Sequence, residues 1–97
     1  MKGIATEKVP GGKLVRIKVD FNSAINKIEI TGDFFVHPEE GIFEIEKALT
    51  GIDASSSQES IAEIVQRIIQ EKNFSLIGFD AEAIGRIVVQ AIANKIV

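Results

Sequence analysis

The stretch VPGGKLVRIKVDF, Val9 to Phe21, decides how this chain is read. A proline and two glycines precede a lysine, and then Val15, Ile17, Val19 and Phe21 alternate with Arg16, Lys18 and Asp20. A period of two marks a strand with one buried face and one wet face. Pro10-Gly11-Gly12-Lys13 has two readings. Glycines let backbone N–H groups approach an anion closely, and a lysine beside them supplies charge. A nucleotide-binding P-loop, however, reads G-x-x-x-x-G-K-[ST] and runs from a strand into a helix. Here the loop runs into a strand, and Leu14 follows Lys13. A hairpin corner that needs positive φ accounts for the same residues. The isolated chain is therefore expected not to bind ATP.

Working outward, Asn22 to Asn26 is rich in turn formers. Ile28, Ile30 and Phe34 then share one parity, and Lys27, Glu29, Thr31 and Asp33 share the other. This is a second strand, antiparallel to the first. Gly3 to Val9 supplies a third, with a weaker pattern. The period changes after His37. Pro38 suits the first position of a helix, and Glu39 and Glu40 suit its first turn, where the helix dipole favours acids. Ile42, Ile45, Ala48 and Leu49 form its apolar stripe, and Gly51 is placed to end it.

Ser56 and Glu59 match a capping box ahead of a second stripe, Ile61, Ile64, Val65, Ile68 and Ile69, which fades at Lys72-Asn73. Phe74 to Phe79 reads as a short apolar link that can run extended. Asp80 caps a last helix carrying Ile84, Ile87, Val88, Ala91, Ile92 and Ile96. Asp53 to Ser57 reads as a flexible loop. Segregated strands and helices predict an α+β fold: an N-terminal three-stranded antiparallel sheet covered on one face by about three helices.

With 97 residues, 45% of them hydrophobic, the chain suits a single domain over 1–97. It has no cysteine, which removes disulfides, thiolate nucleophiles and cysteine metal sites. No apolar run approaches the ~20 residues of a membrane span, and Met1 to Glu7 lacks a signal-peptide pattern. A soluble, cytoplasmic protein is expected, with no membrane partner. The net charge of −3 argues against nucleic acid. The charge is uneven: six basic and three acidic residues up to Gly32, then five basic and eleven acidic from Asp33 onward. Such a split can steer an anionic ligand or an acidic partner, or can simply be a solvated surface.

Few residues point to chemistry. In Gly32-Asp33-Phe34-Phe35, the glycine permits a close backbone approach, the Asp33 carboxylate is placed to accept backbone N–H groups, and the two rings point to opposite faces. One ring is then core and the other exposed or docked. His37, the single histidine, has no triad partner at a recognisable spacing and is expected to open the first helix. Glu39, Glu40, Glu44 and Glu46 read as a solvated helix face. No catalytic residue and no metal site is expected.

Lys8-Val9-Pro10-Gly11-Gly12-Lys13-Leu14, then a strand, a turn and Ile28-Glu29-Ile30-Thr31-Gly32-Asp33-Phe34-Phe35, resemble the C-terminal accessory domain of lipoate–protein ligases. The resemblance runs from about Lys2 to the last helix. It is specific in the front third and architectural in the helices. Such ligases activate lipoate with ATP to lipoyl-adenylate and transfer the lipoyl group to a lysine of an acceptor domain. The arginine- and glycine-rich adenylate-binding signature of their catalytic domain is absent here.

The resemblance implies a non-catalytic accessory subunit that forms a heterodimer with a catalytic lipoate ligase subunit and meets the lipoyl acceptor domain only indirectly. No cofactor is expected on this chain alone, ATP and lipoate being used by the complex. The resemblance makes Gly11, Gly12 and Lys13 a loop facing the adenylate, and Asp33, Phe34 and Phe35 a docking or structural element. The competing reading from the residues alone is a self-associating or protein-binding α+β module, in which Pro10 to Lys13 is only a turn.

Overall fold

The computed structural model describes residues 1–11 and 13–96. Three strands, β1 (Lys2–Val9), β2 (Lys13–Phe21) and β3 (Ile25–Gly32), form an antiparallel sheet in the order β1-β2-β3. Val9 faces Lys13 across the first turn, and Ile17 faces both Ala5 and Ile30. Val15, Ile17, Val19 and Phe21 are buried, as are Ile28 and Ile30, so the period-two reading holds. A register shift at Asp20/Phe21 lets Phe21 face Ile25 while Asp20 faces Lys27. The sheet's other face carries Lys2, Lys8, Arg16, Lys18 and Lys27 against Asp20 and Glu29, with Asp20 set between Lys2 and Lys27 in the ladder.

The helices are α1 (Gly41–Leu49), α2 (Gln58–Lys72) and α3 (Ala81–Ala93). Helix α3 lies on β1 and β2, α1 lies on β3, and α2 packs against both helices. Gly85 lets α2 and α3 approach: a Cβ there would sit 2.4 Å from the Gln58 carbonyl oxygen. Among the described residues every fully buried side chain is apolar, including Ile17, Ile45, Leu49, Ile61, Val65, Ile84 and Ile87. The α+β fold is as expected.

Several helix ends also match. The Asp80 carboxylate accepts from the Ala83 N–H at 2.8 Å. Gly51 follows α1 with φ +93, and Asn73 closes α2 in the left-handed region.

Other expectations need correction. Two further strands, β4 (Phe35–His37) and β5 (Ser75–Ile77), form a separate two-stranded sheet. His37 therefore ends β4 rather than opening α1. Pairing holds Phe35–His37 extended, and residues 38–40 are used to turn, with the Gly41 N–H donating to the Pro38 carbonyl at 2.9 Å. Pro38 and Glu39 thus precede α1, and Glu40 is its N-cap. The cap of α2 is Ser57, whose hydroxyl accepts from the Ser60 N–H at 3.1 Å. Ser56 is not the cap because its hydroxyl donates to the Asp53 carbonyl at 2.7 Å. The Asp53 to Ser57 loop is tied down: the Ala54 N–H donates to the Ser23 carbonyl at 2.9 Å, and the Asp53 carboxylate accepts from the Ser55 N–H at 2.8 Å. Ile96 lies beyond α3 and is 68% exposed, while its N–H donates to the Lys2 carbonyl at 2.8 Å.

Glu46 does not belong to a solvated face either. It is partly buried, and its carboxylate accepts from the Ile30 N–H at 2.8 Å, closing part of the open edge of β3. Burial raises its pKa above the usual 4.5, against the opposing pull of that hydrogen bond. An acid whose folded pKa is raised contributes stability below its unfolded value, and this is lost as pH rises through the folded value. Glu46→Gln keeps an acceptor for Ile30 without the buried charge. Its melting temperature is expected to exceed the parent's at pH 7, with the gap closing below pH 4.5. An equal gap in melts at both pH values would contradict this.

Glu7 shows the opposite sign. It points to the helix side, where Arg86 donates to it from two nitrogens, Nε reaching Oε1 at 2.9 Å. These hydrogen bonds hold the Glu7 carboxyl below its usual range. The contribution of this pair is present above 4.5 and fades as pH falls through the lowered value.

Candidate functional site

The hairpin between β1 and β2 turns at Pro10 and Gly11, which has φ +103 and open space around it, so conformation rather than crowding calls for glycine there. Gly12, the second glycine of the expected loop, lies outside the described residues. Lys13 is the first residue of β2 and is exposed. It shares parity with Val15 and Ile17, so it points to the helix side of the sheet and not to the face that carries Arg16 and Lys18. The loop joins two strands and no helix starts at it, so it has no helix dipole to offer an anion.

At the other end of the sheet's last strand, Gly32 has φ +147, and a Cβ there would lie 2.1 Å from the Leu14 carbonyl oxygen. This close approach ends β3 and turns the chain towards β4. It is the main-chain N–H of Asp33 that is bonded, donating to the Leu14 carbonyl at 2.8 Å; among the described residues no hydrogen bond reaches the Asp33 carboxylate.

The two rings that follow take different roles, as their parity requires. Phe34 packs against the core and stacks on Phe79, with centroids 4.2 Å apart and planes 29° apart. Phe35 is 71% exposed and faces Ile77, itself 58% exposed, across the β4–β5 ladder. Beneath them Val36 and Leu76, also cross-strand partners, pack on the core.

Lys13, Gly32, Asp33, Phe34 and Phe35 line one shallow groove. Two stretches separated by about twenty residues in the sequence are thus brought together. Gly11 stands at the tip of the same hairpin but does not line the groove. The arrangement offers one ammonium group beside an apolar cross-strand pair. It is suited to meeting an anion and a protein surface, and it holds no nucleophile–base pair. No group of three or more metal-ligating side chains occurs among the described residues. His37 is exposed at the far end of β4, opposite Ser75. No helix of the described residues is long and apolar enough to cross a membrane.

Ile77, Gly78 and Phe79 were not legible as site residues. Their signal is faint: an isoleucine and a glycine in a six-residue apolar link, with no period to show that Ile77 faces outward.

The fold has a counterpart among solved structures. A chain from the structural analysis of an archaeal lipoylation system, a bi-partite lipoate protein ligase and its E2 lipoyl domain from Thermoplasma acidophilum, is similar at a TM-score of 0.64. The two are 24% identical, and the similarity covers 100% of each chain. No curated protein matches the sequence. The family model described as bacterial lipoate protein ligase C-terminus matches residues 5–87, from within β1 to the middle of α3. That span takes in the hairpin, the Gly32–Phe35 turn and the β4–β5 ribbon, and the chain belongs to the family of bacterial lipoate protein ligase C-terminal domains.

Proposed function

We propose that this chain is the non-catalytic accessory part of a two-chain lipoate–protein ligase. It works with a separate catalytic subunit in the ATP-dependent activation of lipoate to lipoyl-adenylate, ahead of transfer to an acceptor domain. The observation that carries this reading is the family match over residues 5–87, which spans the groove where Lys13 and Phe35 are exposed side by side. The bi-partite ligase of the similar archaeal structure supports a catalytic partner for this chain as well.

Phe35 and Ile77 are the docking pair, and Phe34 and Asp33 shape the turn that presents them. Adenylation joins the lipoate carboxylate to the α-phosphorus of ATP and expels pyrophosphate, so negative charge is redistributed over phosphate oxygens. Gly11, Gly12 and Lys13 form the loop that faces this event. Lys13 acts as a point charge that screens those oxygens in a site closed to water by docking. The chain binds neither ATP nor lipoate alone, and the acceptor domain meets it only through the complex. A protein without cysteine that serves ATP-dependent chemistry fits the cytoplasm.

Lys13→Met tests the loop. It keeps most of the side-chain stem and removes the charge. Lipoate-dependent ATP–pyrophosphate exchange by the reconstituted pair is expected to slow by roughly tenfold or more. The melting temperature is expected to stay nearly unchanged, because exposed substitutions usually change stability by less than about 0.5 kcal/mol. Unchanged exchange would remove Lys13 from the site.

A further inference from the structure

Lys13 is exposed but packed at the base of its side chain. Its stem lies across Gly78, the residue between Ile77 of β5 and Phe79 of the ring stack. A Cβ on Gly78 would stand 2.8 Å from Lys13 Cγ and 3.4 Å from both Lys13 Cβ and the Asp33 carbonyl oxygen. Gly78 also has φ +98, where side chains are rarely found. The missing Cβ is therefore the space that the lysine stem occupies. On either side the seat is fixed: Asp33 is anchored to Leu14, and Phe34 stacks on Phe79.

We infer that Gly78 is a positioning residue for Lys13, an inference that rests on the accessory-subunit reading above. The glycine lets the lysine stem lie flat over the turn from β5 to α3, which sets where the ammonium group emerges. Ile77, the preceding residue, belongs to the docking pair. Docking the ribbon on the catalytic subunit then delivers the Lys13 charge at a fixed place and not as a floating side chain. Holding a charge in place before the reaction removes a reorganisation cost at the transition state. Neither the hairpin nor the ribbon alone does this, because Lys13 comes from the one and Gly78 directly follows the other.

The test is a double-mutant cycle with Lys13→Met and Gly78→Ala, read by lipoate-dependent ATP–pyrophosphate exchange at saturating accessory chain and by thermal melting. Saturation removes any effect of weaker docking. Gly78→Ala crowds the stem in both backgrounds, so its cost in melting temperature is expected to be the same in both. Its effect on exchange is expected to differ: about tenfold slowing beside Lys13, and less than about twofold beside Met at that position. Should Gly78→Ala fail to fold, Gly78→Asn serves, since asparagine tolerates positive φ better. If Lys13→Met slows exchange and the Gly78 variant does not, the positioning role is overturned and the Lys13 reading stands. Equal slowing by the Gly78 variant in both backgrounds also overturns it. If Lys13→Met itself leaves exchange unchanged, both fall together.

Discussion

Phe35→Thr combined with Ile77→Thr is expected to weaken association with the catalytic subunit by about a hundredfold or more, while the isolated chain melts as before. Both side chains are more than half exposed and are direct cross-strand partners. Fully burying a large apolar side chain is worth roughly 1.5–3 kcal/mol, so losing two costs about 3–6 kcal/mol at the interface. Each 1.4 kcal/mol is a factor of about ten in Kd. Threonine preserves strand propensity, so the β4–β5 ladder survives the change. The core layer under the ribbon, Val36 and Leu76, is untouched.

Binding can be followed by titration calorimetry and folding by thermal melts of the chain alone. Undiminished binding would show that the ribbon is not the docking surface. If the parent chain proves to be a homodimer that this variant dissociates, while heterodimer formation persists, the ribbon serves self-association and the interaction-module reading gains.

Gly3→Ala is expected to cost the fold about 2–4 kcal/mol, although it adds a single methyl group. Gly3 sits in β1 beneath the end of α3, and a Cβ there would lie 1.9 Å from the Ala91 carbonyl oxygen. Both sides of that contact are backbone, so no side chain can rotate away. Either β1 leaves its register or α3 lifts. Lifting α3 disturbs the buried Ile87, Val88 and Ala91, and also the bridge between Gly3 and Lys95. For a domain of 97 residues, each kcal/mol moves the melting temperature by roughly 4–8 °C, so a fall of about 8–32 °C is expected. A melt within a few degrees of the parent would show that α3 does not press on β1 this closely.

The parts of the fold that could be read in advance are those with a long, regular pattern. Val15 to Phe21 carries four buried residues at period two, and no other element type fits that spacing. Asp80, Gly51 and Asn73 act through the chain immediately beside them, so they too were visible. The β4–β5 ribbon was not. Each strand has three residues, too few for a period, and their pairing joins segments forty positions apart, Phe35 with Ile77. Missing that pairing also misplaced His37 and Pro38, which local helix preferences assign to α1. Glu46 reads as one more surface acid until β3 is laid beside α1 and the unpaired Ile30 N–H is found to need an acceptor.

The site was legible to a similar degree. The opposite roles of Phe34 and Phe35 follow from strand parity, and the structure places both beside Lys13. The direction of Lys13 was less visible. Its parity sends it to the side opposite Arg16 and Lys18, but no local pattern shows that Gly78 lies against it there. The seat that holds it comes from a distant residue and could not be read locally.

The most direct measurement is lipoate-dependent ATP–pyrophosphate exchange by the catalytic subunit, with and without this chain. The account predicts exchange only when both are present, restored by adding the chain in stoichiometric amount. Equal exchange in the two reactions would contradict it, leaving a ligase C-terminal fold that plays no part in adenylation.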